Sequence, residues 1–309
     1  MDSLFDDNCI TARLDDVQYM TSLGLESNIG SAAKDKVFFY HRGVKDLSSR
    51  KVILILLHGY PQTSHILSSH ILSVSTIEQF LIPGLDGDTS SASKKDSSIH
   101  SRSGHDRGAR VCHRLAVDAH SLSRSTFKGT ILMDIVPTII QWKSFADSAA
   151  AVDSYHWPLL ANVDLATAMM KSLGAETFIK ANIERWAGSN ATAVARFNEQ
   201  DAKSVYASSF KYDSVIRASS DDYRAGAFED ITQQEEDQIA GKKLDVDVLA
   251  LFSAGYLGSR YNVEEVWREW MGSGVLEVNG FGGGVRHFIA EEAPEKTSEA
   301  IQRFYARHG

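Results

Sequence analysis

Ser103-Gly104-His105-Asp106-Arg107-Gly108-Ala109-Arg110 is the stretch whose reading decides the fold. It spells G-x-D-x-G, and Val111 to Asp118 after it mixes apolar and polar residues at helical spacing. Such a pattern sets a carboxylate on a sharp turn from a strand into a helix, where small flanking residues are needed because the turn is crowded. A carboxylate presented there can attack carbon by displacement and leave an ester, a chemistry suited to alkyl halides or epoxides. The ordinary alternative is an aspartate that merely caps its own helix.

A turn of this kind needs parallel strands around it. The continuous apolar run Val52 to Leu57 predicts a buried parallel strand. It ends in His58-Gly59-Tyr60-Pro61-Gln62-Thr63-Ser64, a loop whose backbone N–H groups point above the carboxyl edge of the sheet. Thr130 to Val136, Val246 to Phe252 and Val275 to Val278 predict further strands. Helical segments fill Ala161 to Leu173, Ala175 to Trp186, Thr192 to Tyr206 and Ser214 to Arg224, with Val263 to Met271 and Thr297 to Arg307 later. Residues 139–226 therefore read as a helical cap inserted into a core made of 1–138 and 227–309.

The region before the turn is harder to fit. Cys9 to Arg13 and Val17 to Thr21 predict an antiparallel pair, and the Gly-, Ser- and Ala-rich stretch Gly24 to Asp35 predicts a loop. Asp86 to Ser103 is Ser-rich with no apolar period and predicts another loop. Only His65 to Ser103 remains for the strands that should lead into Gly104, so the expected fold is α/β with a mostly parallel sheet, a helical cap and a truncated central region.

Composition bounds the partners. The chain has 309 residues, 43% of them hydrophobic, enough for one large domain with an insertion. A net charge of -8 argues against nucleic acid and anionic membranes, which attract basic faces. The apolar runs are too short to span a bilayer, and the acidic start Met1 to Asp7 lacks the apolar core of a signal peptide. Two cysteines, Cys9 and Cys112, cannot frame a disulfide scaffold, which favours a reducing, cytoplasmic setting. A small-molecule substrate, no cofactor or metal, and a homodimer as the candidate assembly complete these expectations.

Candidate partners for Asp106 follow from chain order and chemistry. His287 comes after the last predicted strand, where a catalytic histidine follows nucleophile and acid, and can activate water. Its orienting acid is not found after Val246 to Phe252, because Ser253 to Gly258 carries no carboxylate. Asp134 is a carboxylate in an apolar run, rarely buried without a partner, and is the choice. Arg107 and Arg110, three apart on the first turn of the helix, offer guanidinium donors to a substrate carboxylate.

HGYPQTS, GHDRGAR, LMDIVPT, YHWPLLA, DYRAGA, VWREW and HFIAEEAPE, in this order, resemble the haloacid dehalogenases of the α/β-hydrolase fold, of the fluoroacetate dehalogenase kind. The likeness runs from Val52 onward except for about residues 66–103. It implies Asp106 as nucleophile, His287 and Asp134 as base and orienting acid, and Arg107 and Arg110 as the carboxylate site. It also implies halide binding by His156, Trp157 and Tyr223, and an oxyanion hole from the backbone N–H groups of Tyr60 and Arg107. Trp186 is a candidate pocket wall, though a core tryptophan of the cap reads the same way. An epoxide hydrolase of the same fold is the alternative, with Tyr155 and Tyr223 as acids, and a catalytically impaired relative is the other.

Overall fold

The computed structural model describes residues 17–32, 35–43, 53–67, 80–83, 100–119 and 127–307. Among them, eight strands form one sheet: β1 (Glu26–Ala32), β2 (Asp35–Arg42), β3 (Ile53–Leu57), β4 (Phe80–Pro83), β5 (His100–His105), β6 (Phe127–Met133), β7 (Asp247–Ser253) and β8 (Leu276–Phe281). Their spatial order is β1-β2-β4-β3-β5-β6-β7-β8. β2 runs antiparallel to both neighbours, and all other pairings are parallel.

The strand period of two sorts side chains onto two cores. Ile131, Met133, Leu249 and Leu251 pack on one face with Trp157, Trp186 and Tyr223. Leu132, Val248 and Ala250 pack on the other with Ala109, Cys112 and Trp267. Each fully buried aliphatic side chain here contributes about 1.5–3 kcal/mol. Between β6 and β7 the described chain is helical, from Thr138–Ser144 through Asp213–Ala227 to Glu229–Ile239, and returns to the sheet at Asp247.

Three expectations fail in the N-terminal third. Residues 17–22 are a helix, with Met20 fully buried, and Cys9 to Arg13 lie outside the described residues. A six-residue stretch with Val17, Tyr19 and Met20 as its apolar residues is too short to separate the two periods, and packing chose the helix. The expected loop at Gly24 to Asp35 forms β1 and the start of β2, paired from Glu26–His41 to Ala32–Asp35. Small residues weaken a strand without forbidding it, and the continuous ladder holds this one.

The third correction concerns the centre. His100 to Ser103 belong to β5, which pairs with β3 on one side and β6 on the other, so the sheet is not truncated where the turn begins. Ser101 and Ser103 are buried, and the Arg102 guanidinium stacks over the Phe127 ring at 4.7 Å. Ladders on both sides satisfy the backbone of β5, and that, rather than apolar side chains, makes it a strand. Residues 84–99 of the expected loop lie outside the described residues.

Candidate active site

Asp106 sits between β5 and the helix Arg107–Val117, with φ 49° and ψ -117°. The turn closes only because its neighbours lack side chains. A Cβ on Gly59 would lie 2.5 Å from Cβ of Asp106, one on Gly104 2.4 Å from Gly108, and one on Gly108 2.4 Å from the His58 carbonyl. The Asp106 side chain makes no cap hydrogen bond to its helix, which removes the capping alternative. Instead its Oδ1 accepts from the Tyr60 backbone N–H at 2.9 Å.

His287 and Asp134 complete a line through the site. The His287 Nδ1 lies 2.8 Å from Asp134 Oδ2, and its Nε2 faces Asp106 Oδ2 at 3.8 Å. Asp134 directly follows β6, at φ 55°, and is held by Ser253, whose backbone N–H and hydroxyl donate to Oδ1 at 2.8 and 2.7 Å. Ser253 thus occupies the end of β7 where the sequence offered no carboxylate, and it serves the carboxylate next door. Burial opposes charge on His287, but the hydrogen bond and charge of Asp134, with Asp106 behind them, raise its pKa above the ordinary 6.5. Burial likewise opposes ionisation of Asp106, yet His287, His105, Arg110 and Arg107 outweigh it and hold the carboxyl below the usual range.

The two arginines are placed differently from each other. Arg107 turns its Nε and Nη2 to the side chain and carbonyl of Asp222, the second at 2.9 Å, and keeps a buried Nη1 without a partner. Arg110 donates from Nη1 to the Val136 carbonyl and Thr138 Oγ1, both at 3.1 Å, and its Nε has no partner. Its guanidinium stacks on Trp157 at 4.4 Å. Burial and the nearby Arg107 charge lower the Arg110 pKa to about 10, which leaves it cationic at neutral pH.

A cavity of about 30 Å³ lies between Asp106, His287 and Arg110, walled by His156, Trp157, Trp186 and Tyr223. The aromatic walls interlock: His156 lies 4.4 Å from Trp186, and Tyr223 lies 5.3 Å from both Trp157 and Tyr60. Burial pushes His156 down to about 3, so its imidazole is neutral, and its Nδ1 and the Trp186 Nε1 lack partners. Tyr155, by contrast, donates its hydroxyl to Asn182 Oδ1 at 2.7 Å.

Some residues at the site carried no readable signal. Gln141 lines the cavity with a buried, unpartnered Nε2, and Tyr256 and Arg260 close its side. His105 and Gln62 were visible only as letters inside the motifs GHDRGAR and HGYPQTS. Asp222 precedes Tyr223 in DYRAGA, and a carboxylate one residue before a wall residue is the one cue that could have flagged it.

No family model matches the chain. A fluoroacetate dehalogenase from a Burkholderia species is 24% identical over 278 residues, 81% of this chain and 86% of that protein. Among solved structures, a protein of Nostoc sp PCC 7120 assigned to the α/β hydrolases is 26% identical with a TM-score of 0.72, covering 91% of this chain and 97% of its own. One of Pseudomonas aeruginosa assigned as an epoxide hydrolase is 24% identical with a TM-score of 0.75, covering 92% and 97%. These likenesses show the α/β-hydrolase fold and support a hydrolase of that fold. No described helix is long and apolar enough to cross a membrane.

Proposed function

We propose that this α/β-hydrolase-fold protein is a hydrolytic dehalogenase of short 2-haloacids such as fluoroacetate or chloroacetate, needing no cofactor. The observation that carries the reading is the cavity itself: about 30 Å³ of space with the Asp106 carboxylate and a cationic Arg110 on its walls. An uncharged ester has no use for a buried guanidinium beside the nucleophile, whereas a short acid supplies the negative charge that pairs with it. The likeness to a fluoroacetate dehalogenase points the same way.

Asp106 Oδ1 is already engaged by Tyr60 N–H, so Oδ2 is the attacking oxygen. It bonds to the halogen-bearing carbon as the carbon–halogen bond breaks, and the halide leaves with the electron pair toward His156, Trp157 and Tyr223. Arg110 Nε and Gln141 Nε2, on the cavity wall, are the free donors for the substrate carboxylate, while Arg107, bound to Asp222, stands outside the lining and adds its charge from behind. In the resulting ester Oδ1 is the carbonyl oxygen. His287 Nε2, 3.8 Å from Oδ2, makes no hydrogen bond to it and is free to accept one from a water that enters beside the ester. His287 takes a proton from that water, hydroxide adds to the Asp106 carbonyl carbon, and Tyr60 N–H with Arg107 N–H holds the oxyanion. Collapse frees the 2-hydroxy acid and the aspartate, with Asp134 steadying the imidazolium. Residues 139–226 act as the cap that keeps bulk water out, over a core of 1–138 and 227–309.

Of the two tyrosines expected as acids for epoxide opening, Tyr223 lines the cavity, but Tyr155 does not and donates its hydroxyl to Asn182. The deciding experiment incubates the purified protein and its His287→Asn variant with chloroacetate and fluoroacetate. Halide release by the parent, and in the variant a covalent adduct on Asp106 with the mass of one carboxymethyl group, are expected. No adduct and no halide, with diol formed from epoxides instead, would sink the haloacid reading in favour of the epoxide one.

A further inference from the structure

Behind the site, buried side chains join the three loops that carry its residues. Tyr206 donates its hydroxyl to Glu291 Oε1, and Gln62 lies 2.5 Å from Glu291 Oε2. The other end of the Gln62 amide is 2.8 Å from His105 Nδ1, and His105 Nε2 is 2.8 Å from the His287 backbone carbonyl. Gln62 belongs to the loop with the Tyr60 N–H, His105 adjoins Asp106, and Glu291 follows His287 by four residues.

Counting protons decides how this row can be satisfied. A neutral imidazole has one N–H. If Glu291 is ionised, the Gln62 NH2 donates to it and the amide oxygen takes the Nδ1–H of His105. His105 Nε2 then faces the His287 carbonyl as a lone pair at hydrogen-bond distance. If Glu291 carries a proton and the amide is turned over, the acid donates to the amide oxygen and the amide NH2 donates to Nδ1. Nε2–H then donates to the His287 carbonyl, and every buried group is paired. Charging His105 would be the other escape, but burial lowers its pKa to about 4.

We propose that Glu291 is a positioning residue which, through Gln62 and His105, holds the His287 backbone carbonyl by a hydrogen bond that exists only while Glu291 is protonated. When the proton leaves to solvent, the amide turns, the His105 proton shifts to Nδ1, and the carbonyl loses its donor. The groups facing Glu291 are the Tyr206 hydroxyl, with His65 edge-on to the Tyr206 ring at 6.0 Å, Gln62, and Glu292 on its own helix. Glu292 is engaged by the backbone N–H groups of Gly188 and Arg286 at 3.0 and 2.9 Å. None of these is a lysine or arginine, and burial, helped by the Glu292 charge and opposed by the Tyr206 and Gln62 hydrogen bonds, raises the Glu291 pKa to about 8. The arrangement stands whatever the substrate is; only its effect on turnover rests on His287 being the base.

The test is substrate-free. The His287 ring resonance, assigned by its absence from His287→Asn, is followed against pH in histidine-labelled protein. In the parent it should show its own titration and a second step centred near pH 8. Glu291→Gln, a permanent neutral donor, should abolish that step, and so should Gln62→Met, which cuts the row; circular dichroism checks that each is folded, and either alone suffices. A second step that survives in a folded variant, or a parent that shows none, overturns the proposal. Halide assays on the same samples report separately on the haloacid reading.

Discussion

His287 is the residue whose charge state sets the working pH. Its pKa lies above 6.5 because Asp134 and Asp106 outweigh the penalty of burial. A base with a raised pKa is protonated and idle below it, so turnover should climb as pH rises through a midpoint above 6.5. Asp134→Asn removes both the hydrogen-bonded charge and the correct orientation of the ring. The midpoint should then fall and the rate at neutral pH drop by about 10³- to 10⁴-fold. A pH–rate profile of the pair checks this, and an unmoved midpoint would mean that Asp134 does not control the imidazole. Asp134 could be picked from the sequence because a carboxylate in LMDIVPT needs a buried partner. Ser253 and Gln141 could not, since a lone serine or glutamine is usually solvated and only packing shows otherwise.

At the scale of elements, the turn at Asp106 depends on close approach of backbone to backbone. β3 and its following loop pass so near the helix Arg107–Val117 that a Cβ on Gly108 would lie 2.6 Å from the Leu57 carbonyl as well as 2.4 Å from that of His58. Gly108→Ala should therefore cost roughly 1–3 kcal/mol and displace Asp106. Denaturant unfolding and turnover measure the two effects, and an unaltered variant would show that the contact is soft. The strands legible in the sequence were those where apolar runs are buried on both faces, as in Ile53–Leu57. β5 was illegible because the ladders with β3 and β6 hold it, and its side chains are Ser101, Arg102 and Ser103. Val163–Leu173, Ala175–Trp186 and Asp213–Ala227 were legible by their period, whereas Thr138–Ser144, Ser148–Asp153 and Glu229–Ile239 were not foreseen as helices. One expected helix divides into Ala191–Phe197 and Ala202–Ser209, with Asp201 at φ 54° between the parts.

Across the whole molecule, the helices inserted after β6 are tied to the helix Arg107–Val117 by charge. Arg114 pairs with Asp237, itself buried and shared with Lys242 at 2.9 Å, and Arg107 pairs with Asp222. The layer that walls the cavity is thus bonded to the helix that begins at Asp106. Two carboxylates of the site, Asp106 and Asp134, directly follow adjacent strands, and both have positive φ. A side chain in that region costs about 1–3 kcal/mol, and it persists because the surroundings leave no alternative. The chain therefore holds part of its potential chemistry as stored conformational energy, drawn from the stability of the entire domain. Asp106→Gly and Asp106→Ala both delete the carboxylate, but only glycine relaxes the backbone. The glycine variant should melt higher than the alanine one by the equivalent of about 1 kcal/mol or more in calorimetry, and equal melting would mean that the turn is unstrained. A site built this way yields stability whenever it yields its nucleophile, so screens for tougher variants of this protein should select against the residue at its centre.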